Sequence, residues 1–366
     1  MDGVAELGDI ARAFLIEAEF HSAERFGSGH INDTYRVITR AAGGEDHFVL
    51  QRINKGVFGD PVALMENIRR VTNHLKTRCA PGHTSLDLVP TRDGGDFHVD
   101  ASGEYWRMYR QVPGTRSYDI PPSKAHARQA AAEFGRFQAM LHDLPGPPLN
   151  EVIPGFHDTR ARYAAFHDAV SRDTHQRAMN CHREIEWALA QEQAAGTLAT
   201  LHARGDLPTR VTHNDTKINN VLFDIDSQQA VCIVDLDTVM PGLVLYDFGD
   251  LVRTASTGTA EDETNLSAVR MRMDYFDALV GGYLDTACGF LSAAEVELLP
   301  LAAQIITIET GLRFLTDYLE GDSYFRIQRP AHNLDRCRAQ FALAGSIDEQ
   351  MAAMRETTSA AYRRSQ

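Results

Sequence analysis

The sequence predicts an α+β chain of two lobes, a small β-rich one followed by a larger, mostly helical one. Three observations carry this. The chain has 366 residues, too many for one ordinary hydrophobic core and enough for two. Strand-like segments separated by Gly turns crowd the first 110 or so residues, whereas long helical patterns dominate the rest. The few strand segments of the second part bracket one strongly polar loop, His213-Asn214-Asp215-Thr216-Lys217-Ile218-Asn219-Asn220.

In chain order, a first helix precedes a strand from Glu19 to Phe26, a Gly27-Ser28-Gly29 turn, and strands Asn32 to Thr39 and Asp46 to Asn54 around the Gly43-Gly44 turn. Pro61 suits the first position of a helix. Leu64, Ile68, Val71 and Leu75 then recur at helical spacing through PVALMENIRRVTNHLK. A β-meander with turns at Asp93-Gly94-Gly95 and Ser102-Gly103 runs to Tyr109. Residues 1–110 are thus read as one lobe, 111–114 as a hinge and 115–366 as the second lobe. The second lobe is expected to hold helices at 124–142, 160–170, 182–204, 266–285, 293–319 and 330–362, with strands only at 210–212, 220–223 and 230–234.

Composition narrows the function. With 36 Lys and Arg against 50 Asp and Glu, the net charge of −14 leaves no overall basic surface for nucleic acid, although a local basic pocket for a nucleotide is compatible with it. The five cysteines show no CxxC spacing, which argues against a disulfide scaffold or a zinc cluster and for thiols in a cytoplasmic protein. The N-terminus is acidic where a secretory signal is basic. The apolar run Leu298 to Leu315 is broken by Gln304, Glu309 and Arg313, as expected of a buried helix and not of a membrane span.

The polar loop sits between short apolar runs, and a further carboxylate, Asp235, follows in Ile233-Val234-Asp235-Leu236-Asp237. Phosphoryl transfer needs a base at the attacking hydroxyl, a cation on the moving phosphate and Mg²⁺ held by oxygen ligands. Asp215 fits the base, Lys217 the cation, and Asn220 with Asp235 the metal ligands. A turn whose Asp and Asn merely cap the backbone is the plain alternative. The offsets match the Asp, Lys and Asn of protein-kinase catalytic loops, with the metal Asp after a hairpin. The fold class is therefore protein-kinase-like.

His213 reads as a buried scaffold of the loop. Asp247-Phe248-Gly249 spells the protein-kinase metal motif but lies beyond Pro241-Gly242, so Asp247 is expected to cap the following helix, 248–254, or to brace the catalytic loop. Asp237 is open between an additional metal role and a plain loop carboxylate.

ATP is expected at the small lobe. Gly27, Ser28 and Gly29 would let backbone N–H groups approach its phosphates, though a plain hairpin turn fits as well. Where a kinase carries its phosphate-binding lysine, the strand FVLQRIN offers Gln51 and then Arg52, which alternation sends to opposite faces. Arg52 is a candidate for the missing charge, with Lys217 and Mg²⁺ the alternative. Gln111 and Val112 in the hinge would hold the adenine edge.

The segments GSGHINDTY (27–35), FVLQRIN (48–54), VTHNDTKINNVLFD (211–224), IVDLDTVMPG (233–242), YDFGD (246–250) and GLRFLTDYLEGDSYF (311–325) resemble the aminoglycoside phosphotransferase-like kinases, most of all those acting on N-acetylhexosamines. The resemblance spans nearly the whole chain. It implies transfer of the γ-phosphate of ATP to the anomeric hydroxyl of GlcNAc or GalNAc, with Asp215 as base and Asn220 and Asp235 on the metal. It also implies sugar contacts at His30, Asn32, Arg313 and Tyr324. Thr254 stands where these kinases have an aromatic residue. Read without the resemblance, Glu309, Arg313 and Asp317 form an i,i+4 series that a solvated ion-pair ladder would explain. Trp106 and Trp187 read as packing residues. A kinase for another small-molecule hydroxyl (an aminoglycoside, choline, homoserine or another sugar) and a nucleotide-binding protein without turnover are the competing readings.

Overall fold

A computed structural model describes residues 4–27 and 31–366. Helix α1 (Val4–Arg12) leads into strands β1 (Glu19–Arg25), β2 (Asp33–Ala41) and β3 (Gly44–Arg52), helix α2 (Pro61–Lys76), and strands β4 (Asp87–Leu88), β5 (His98–Val99) and β6 (Tyr105–Arg110). These strands form one antiparallel sheet ordered β1-β2-β3-β6-β4, with β5 also on β6. One core lies between α1 and the sheet, built on Leu7, Phe14, Val37, Phe48, Leu50, Trp106 and Met108. Helix α2 starts where Asp60 caps it, its carboxylate accepting from the N–H groups of Val62 and Ala63.

Beyond Gln111 the chain is largely helical. It runs through β7 (Thr115–Arg116), α3 (Lys124–Leu141), α4 (Thr159–Arg172), α5 (His182–Ala195), α6 (Thr197–Ala203), β8 (Arg210–Thr212), β9 (Val221–Asp224), β10 (Ala230–Ile233), β11 (Met240–Gly242), α7 (Val244–Ala255), α8 (Met273–Ala287), α9 (Ala293–Leu319), α10 (His332–Glu349) and α11 (Met351–Ser365). A sheet β10-β9-β7 and a ribbon β11-β8 carry the polar loop, and the helices pack in two apolar clusters, one on α3, α7, α8 and the first part of α9, the other on α4, α5, the last part of α9 and α10.

Three expected helices differ. The segment 182–204 breaks at Gly196 into α5 and α6, and 330–362 breaks at Gln350 into α10 and α11. The segment 266–285 opens as a short 3₁₀ turn, and its α-helix begins only at Met273. In each case apolar periodicity runs through a break that only local backbone geometry reveals. Two short strands, β7 and β11, add to the three expected in this region. Helix α9 is long and apolar enough to cross a membrane by length and composition, and most of it is buried inside the molecule. Its N-terminus carries a full capping box between Ser292 and Glu295. All five cysteines are free thiols.

Candidate active site

The polar loop is shaped by a carboxylate beneath it. Asp247 lies in the first turn of α7 and is buried; its Oδ2 accepts the N–H of His213 at 2.8 Å, its Oδ1 that of Asn214 at 2.7 Å, and Gln138 donates to Oδ2 at 2.6 Å. The Thr216 hydroxyl donates to the Asp247 carbonyl. Asp247 therefore braces the polar loop, with both carboxylate oxygens occupied. It does not precede the helix as a cap, because α7 starts at Val244, earlier than expected.

His213 is fully buried, edge-on to Phe134 and Phe137. One of its ring nitrogens meets the Val234 carbonyl at 3.0 Å and the other the N–H of Asp215 at 3.3 Å. With both nitrogens used, it is a scaffold. Asn214 adopts φ 63°, a left-handed conformation that Asn tolerates, and its amide nitrogen donates to the Thr238 carbonyl at 2.8 Å.

These contacts present Asp215, Lys217 and Asn220 together. The Lys217 ammonium lies 2.8 Å from Asp215 Oδ1, and the Asn220 amide nitrogen donates to the Asp215 carbonyl at 2.8 Å and to its Oδ2 at 3.2 Å. Burial alone would raise the pKa of Asp215. The ammonium of Lys217 outweighs that and holds the carboxyl below its ordinary range, while Asp215 in turn raises Lys217.

Asp235 is on the same side. The N–H of Val234 donates to the Asn220 carbonyl at 2.9 Å, which sets the two segments side by side, and Asp235 itself adopts φ 61°. Burial, then the carboxylates of Asp237 and Asp215, push Asp235 up to about 7. Crowded carboxylates with an amide oxygen beside them are a donor set that suits a hard divalent cation. Among the described residues no group of three or more His, Cys, Asp or Glu side chains forms a metal cluster, so such an ion would rest on Asn220 and Asp235 with non-protein oxygens.

Asp237 is a junction. Buried at 2% exposure, it receives the Asn32 amide nitrogen on Oδ2 and pairs with Arg107 through Oδ1. Asn32 Oδ1 accepts the N–H of Asn54 at 3.0 Å. Both ends of the Asn32 amide thus hold the β1–β2 connection, to Asp237 on one side and Asn54 on the other. Gly27 takes φ 79°, a conformation that explains glycine there. Ser28, Gly29 and His30 lie outside the described residues.

Arg52 is engaged on its own side of the sheet. It pairs with Asp33 and lies 5.7 Å from the Trp106 ring centre, on the face opposite Gln51. A cation the sequence reading did not single out, Arg107 on β6, shares the face of Gln51. Gln51 and Arg107 are register partners, so they share a face, and Arg107 donates to Gln51 Oε1 from Nε at 3.0 Å and Nη2 at 2.8 Å. Strand alternation in Tyr105-Trp106-Arg107-Met108-Tyr109 was the available signal. At the lobe junction, Gln111 donates its N–H to the His47 carbonyl at 3.0 Å, and the Val112 carbonyl accepts the Thr115 hydroxyl at 2.9 Å.

On α9, among the described residues, Glu309 and Asp317 do not form the ion-pair ladder that their spacing would allow. Glu309 is buried and holds His157 at 2.9 Å and the Thr159 hydroxyl, while the other nitrogen of His157 reaches the Asn214 carbonyl at 3.2 Å. Asp317, also buried, accepts the N–H groups of Tyr324 at 2.8 Å and Phe325 at 2.9 Å and the Asn333 amide at 2.8 Å. Both carboxylates thus organise loops. Between them Arg313 sits 5.4 Å from the Phe156 ring centre and 5.5 Å from that of Phe325. Tyr324 is 64% exposed, with its ring against Phe325. Thr254 turns its hydroxyl back to the Asp250 carbonyl at 3.0 Å. Trp106 and Trp187 pack, the latter 4.2 Å between ring centres from Phe341.

Comparison with known structures agrees with this architecture. The chain is similar to a spectinomycin phosphotransferase in complex with ADP and spectinomycin (TM-score 0.60, 11% identity, 96% of this chain and 98% of that one). It is likewise similar to an aminoglycoside phosphotransferase from Alicyclobacillus acidocaldarius (TM-score 0.58, 13% identity, 96% of each chain). A choline kinase from Cryptosporidium parvum also matches (TM-score 0.57, 12% identity, 95% of this chain and 96% of that one). Identities this low speak to the fold alone. Residues 22–280, most of the chain, match the APH family, and the chain belongs to this phosphotransferase enzyme family.

Proposed function

We propose that this phosphotransferase is an N-acetylhexosamine 1-kinase, transferring the γ-phosphate of ATP to the anomeric hydroxyl of GlcNAc or GalNAc with Mg²⁺ present and releasing the α-1-phosphate. The observation that carries the kinase reading is the cluster of Asp215, Lys217, Asn220 and Asp235. Asp215, kept ionised by Lys217, accepts the proton of the attacking hydroxyl as its oxygen bonds to phosphorus. Lys217 is placed to turn its ammonium to the transferring phosphate. Asn220 and Asp235 would hold Mg²⁺, which when bound offsets charge on the phosphate oxygens. Gln111 and Val112 are assigned to the adenine edge, and Gly27 with Ser28 and Gly29 to the phosphates.

The sugar assignment rests on the acceptor side. Arg313, flanked by two aromatic rings, Tyr324 and His30 are the proposed sugar contacts. Glu309 ties this region to the loop through His157 and Asn214. A cationic acceptor is disfavoured because the Arg313 guanidinium among the proposed acceptor contacts is a poor neighbour for a second positive charge. We place the enzyme in the cytoplasm, where free thiols persist.

ADP release from the purified protein over a panel of hexoses, hexosamines, choline and aminoglycosides, with ³¹P NMR of the product, tests the reading. An acid-labile phosphate on an N-acetylhexosamine is expected. Phosphate on an amino alcohol or at another sugar carbon overturns the acceptor. Asp215→Asn should lose about 10²–10⁴-fold in turnover with unchanged nucleotide affinity; near-normal turnover removes Asp215 as base.

A further inference from the structure

We propose that Arg107 is the strand-borne cation that meets the nucleotide phosphates in this chain, and that Asp237 is its counter-ion when no nucleotide is bound. The proposal rests on the kinase reading above and adds to it the residue that replaces the lysine missing from β3.

Gln51 occupies the position of that lysine and is anchored on one side, its amide nitrogen donating to the Thr34 hydroxyl at 3.0 Å. Its oxygen then takes both Nε and Nη2 of Arg107, the residue directly opposite on β6. A side chain too short and uncharged for phosphate thus fixes one edge of a guanidinium from the next strand. The other edge points to Asp237. Apart from this ion pair, neither Arg107 Nη1 nor Asp237 Oδ1 has a hydrogen-bond partner among the described residues. Asp237 follows Asp235 by two residues and also holds Asn32 from the β1–β2 connection. Arg107 therefore lies where the strand turn and the metal-binding segment converge.

Energetics favour a ligand role over a purely structural one. The two side chains are 1% and 3% exposed, and removing two charges from water roughly cancels their mutual attraction. An apolar pair would join the lobes as well. A guanidinium held along one edge offers the other to a phosphate oxygen in a fixed geometry, which a lysine cannot match. On binding, phosphate oxygen replaces Asp237 as acceptor, and the carboxylate is released toward the side of Asp235.

Calorimetric titration of ADP and of adenosine, each with and without Mg²⁺, tests this without turnover. Loss of one charge-assisted contact is worth about 1.5–3 kcal/mol, so Arg107→Gln should bind ADP about 10–150-fold more weakly while adenosine affinity is unchanged. Asp237→Asn in Mg²⁺-free buffer should bind ADP as tightly as the wild type or more tightly, because the competing carboxylate is gone. The double variant Gln51→Lys with Arg107→Gln restores a cation on the same face and should recover most of the ADP affinity. It also keeps the test open if Arg107→Gln does not fold. Equal weakening of ADP and adenosine by Arg107→Gln, or parallel losses in Arg107→Gln and Asp237→Asn, would show an interlobe strut and overturn the proposal. A double variant that folds but stays weak overturns it as well. Failure of the wild type to bind ADP at all would instead sink the kinase reading on which it stands.

Discussion

The substitution Asp247→Asn isolates the support of the catalytic loop from its chemistry. The carboxylate accepts from three donors, the N–H groups of His213 and Asn214 and the Gln138 amide. Asparagine keeps the shape but has one acceptor oxygen. If its NH₂ replaces Oδ1, the N–H of Asn214 is stranded; if it replaces Oδ2, that of His213 is. Gln138 cannot turn to compensate without losing the Tyr283 hydroxyl, which donates to its oxygen at 2.5 Å. One lost charge-assisted bond and one buried orphan donor cost about 2–5 kcal/mol. Burial raises the pKa of Asp247, so a neutral replacement recovers part of this, leaving a net loss of about 1–3 kcal/mol. Urea unfolding measures the loss. Because the stranded donor lies beside Asp215, kcat should fall by about tenfold or more while ADP affinity holds. A variant within 0.5 kcal/mol of wild type (about the noise of surface substitutions) and with unchanged kcat would refute the bracing argument.

Two further outcomes follow from packing and charge. At Gly249 an added Cβ would lie 2.5 Å from the Ala302 carbonyl oxygen, so Gly249→Ala should force α7 and α9 apart and cost about 1–3 kcal/mol in urea unfolding; a neutral result would mean the helices do not touch there. Burial would raise Glu309, but its hydrogen bond and charge contact with His157 outweigh that and depress it. A depressed carboxyl stabilises the fold above its unfolded pKa of about 4.3, and the gain is lost as pH falls through the lower folded value. The stability gap between wild type and Glu309→Gln should therefore be full near pH 6 and narrow as pH falls below about 4; a gap independent of pH would show that the charge of Glu309 contributes nothing.

The polar loop was legible because its residue types recur at fixed offsets, and Asp215, Lys217 and Asn220 contact one another with Val234, next to Asp235, bonded to Asn220. Helices α2 and α9 were legible to the residue, since Pro61 and the Ser292–Glu295 box mark their starts. Arg107 was harder to read, because strand alternation in YWRMYR separates the faces of Arg107 and Arg110 but only the pairing of strands 56 residues apart shows that Arg107 shares its face with Gln51. Arg52 is adjacent in sequence to Gln51 but on the opposite face, where it pairs with Asp33. Glu309 and Asp317 share helical spacing with Arg313, yet burial and backbone partners, which spacing does not encode, make them loop holders.

The tripeptide Asp247-Phe248-Gly249 shows how far a motif can be read apart from its place in the fold. In protein kinases the same letters follow the catalytic hairpin and present the aspartate to the metal. Here each residue is accounted for inside α7 by a separate physical demand. Asp247 satisfies loop N–H groups that would otherwise be buried and unpaired. Phe248 is fully buried, its ring against Phe276 and Tyr283. Gly249 lets α7 approach the backbone of α9. The proposed metal ligand is instead Asp235, directly after β10, in a left-handed conformation beside the segment that bonds Asn220. Distance along the chain from the hairpin, and not the identity of the letters, separates the two carboxylates, Asp247 beneath the loop and Asp235 beside Asn220. For the same reason a carboxylate substituted at Asp247 disturbs the loop from below, whereas one at Asp235 disturbs the metal from within the cleft, and the two should separate as a stability defect against a Mg²⁺-dependence defect.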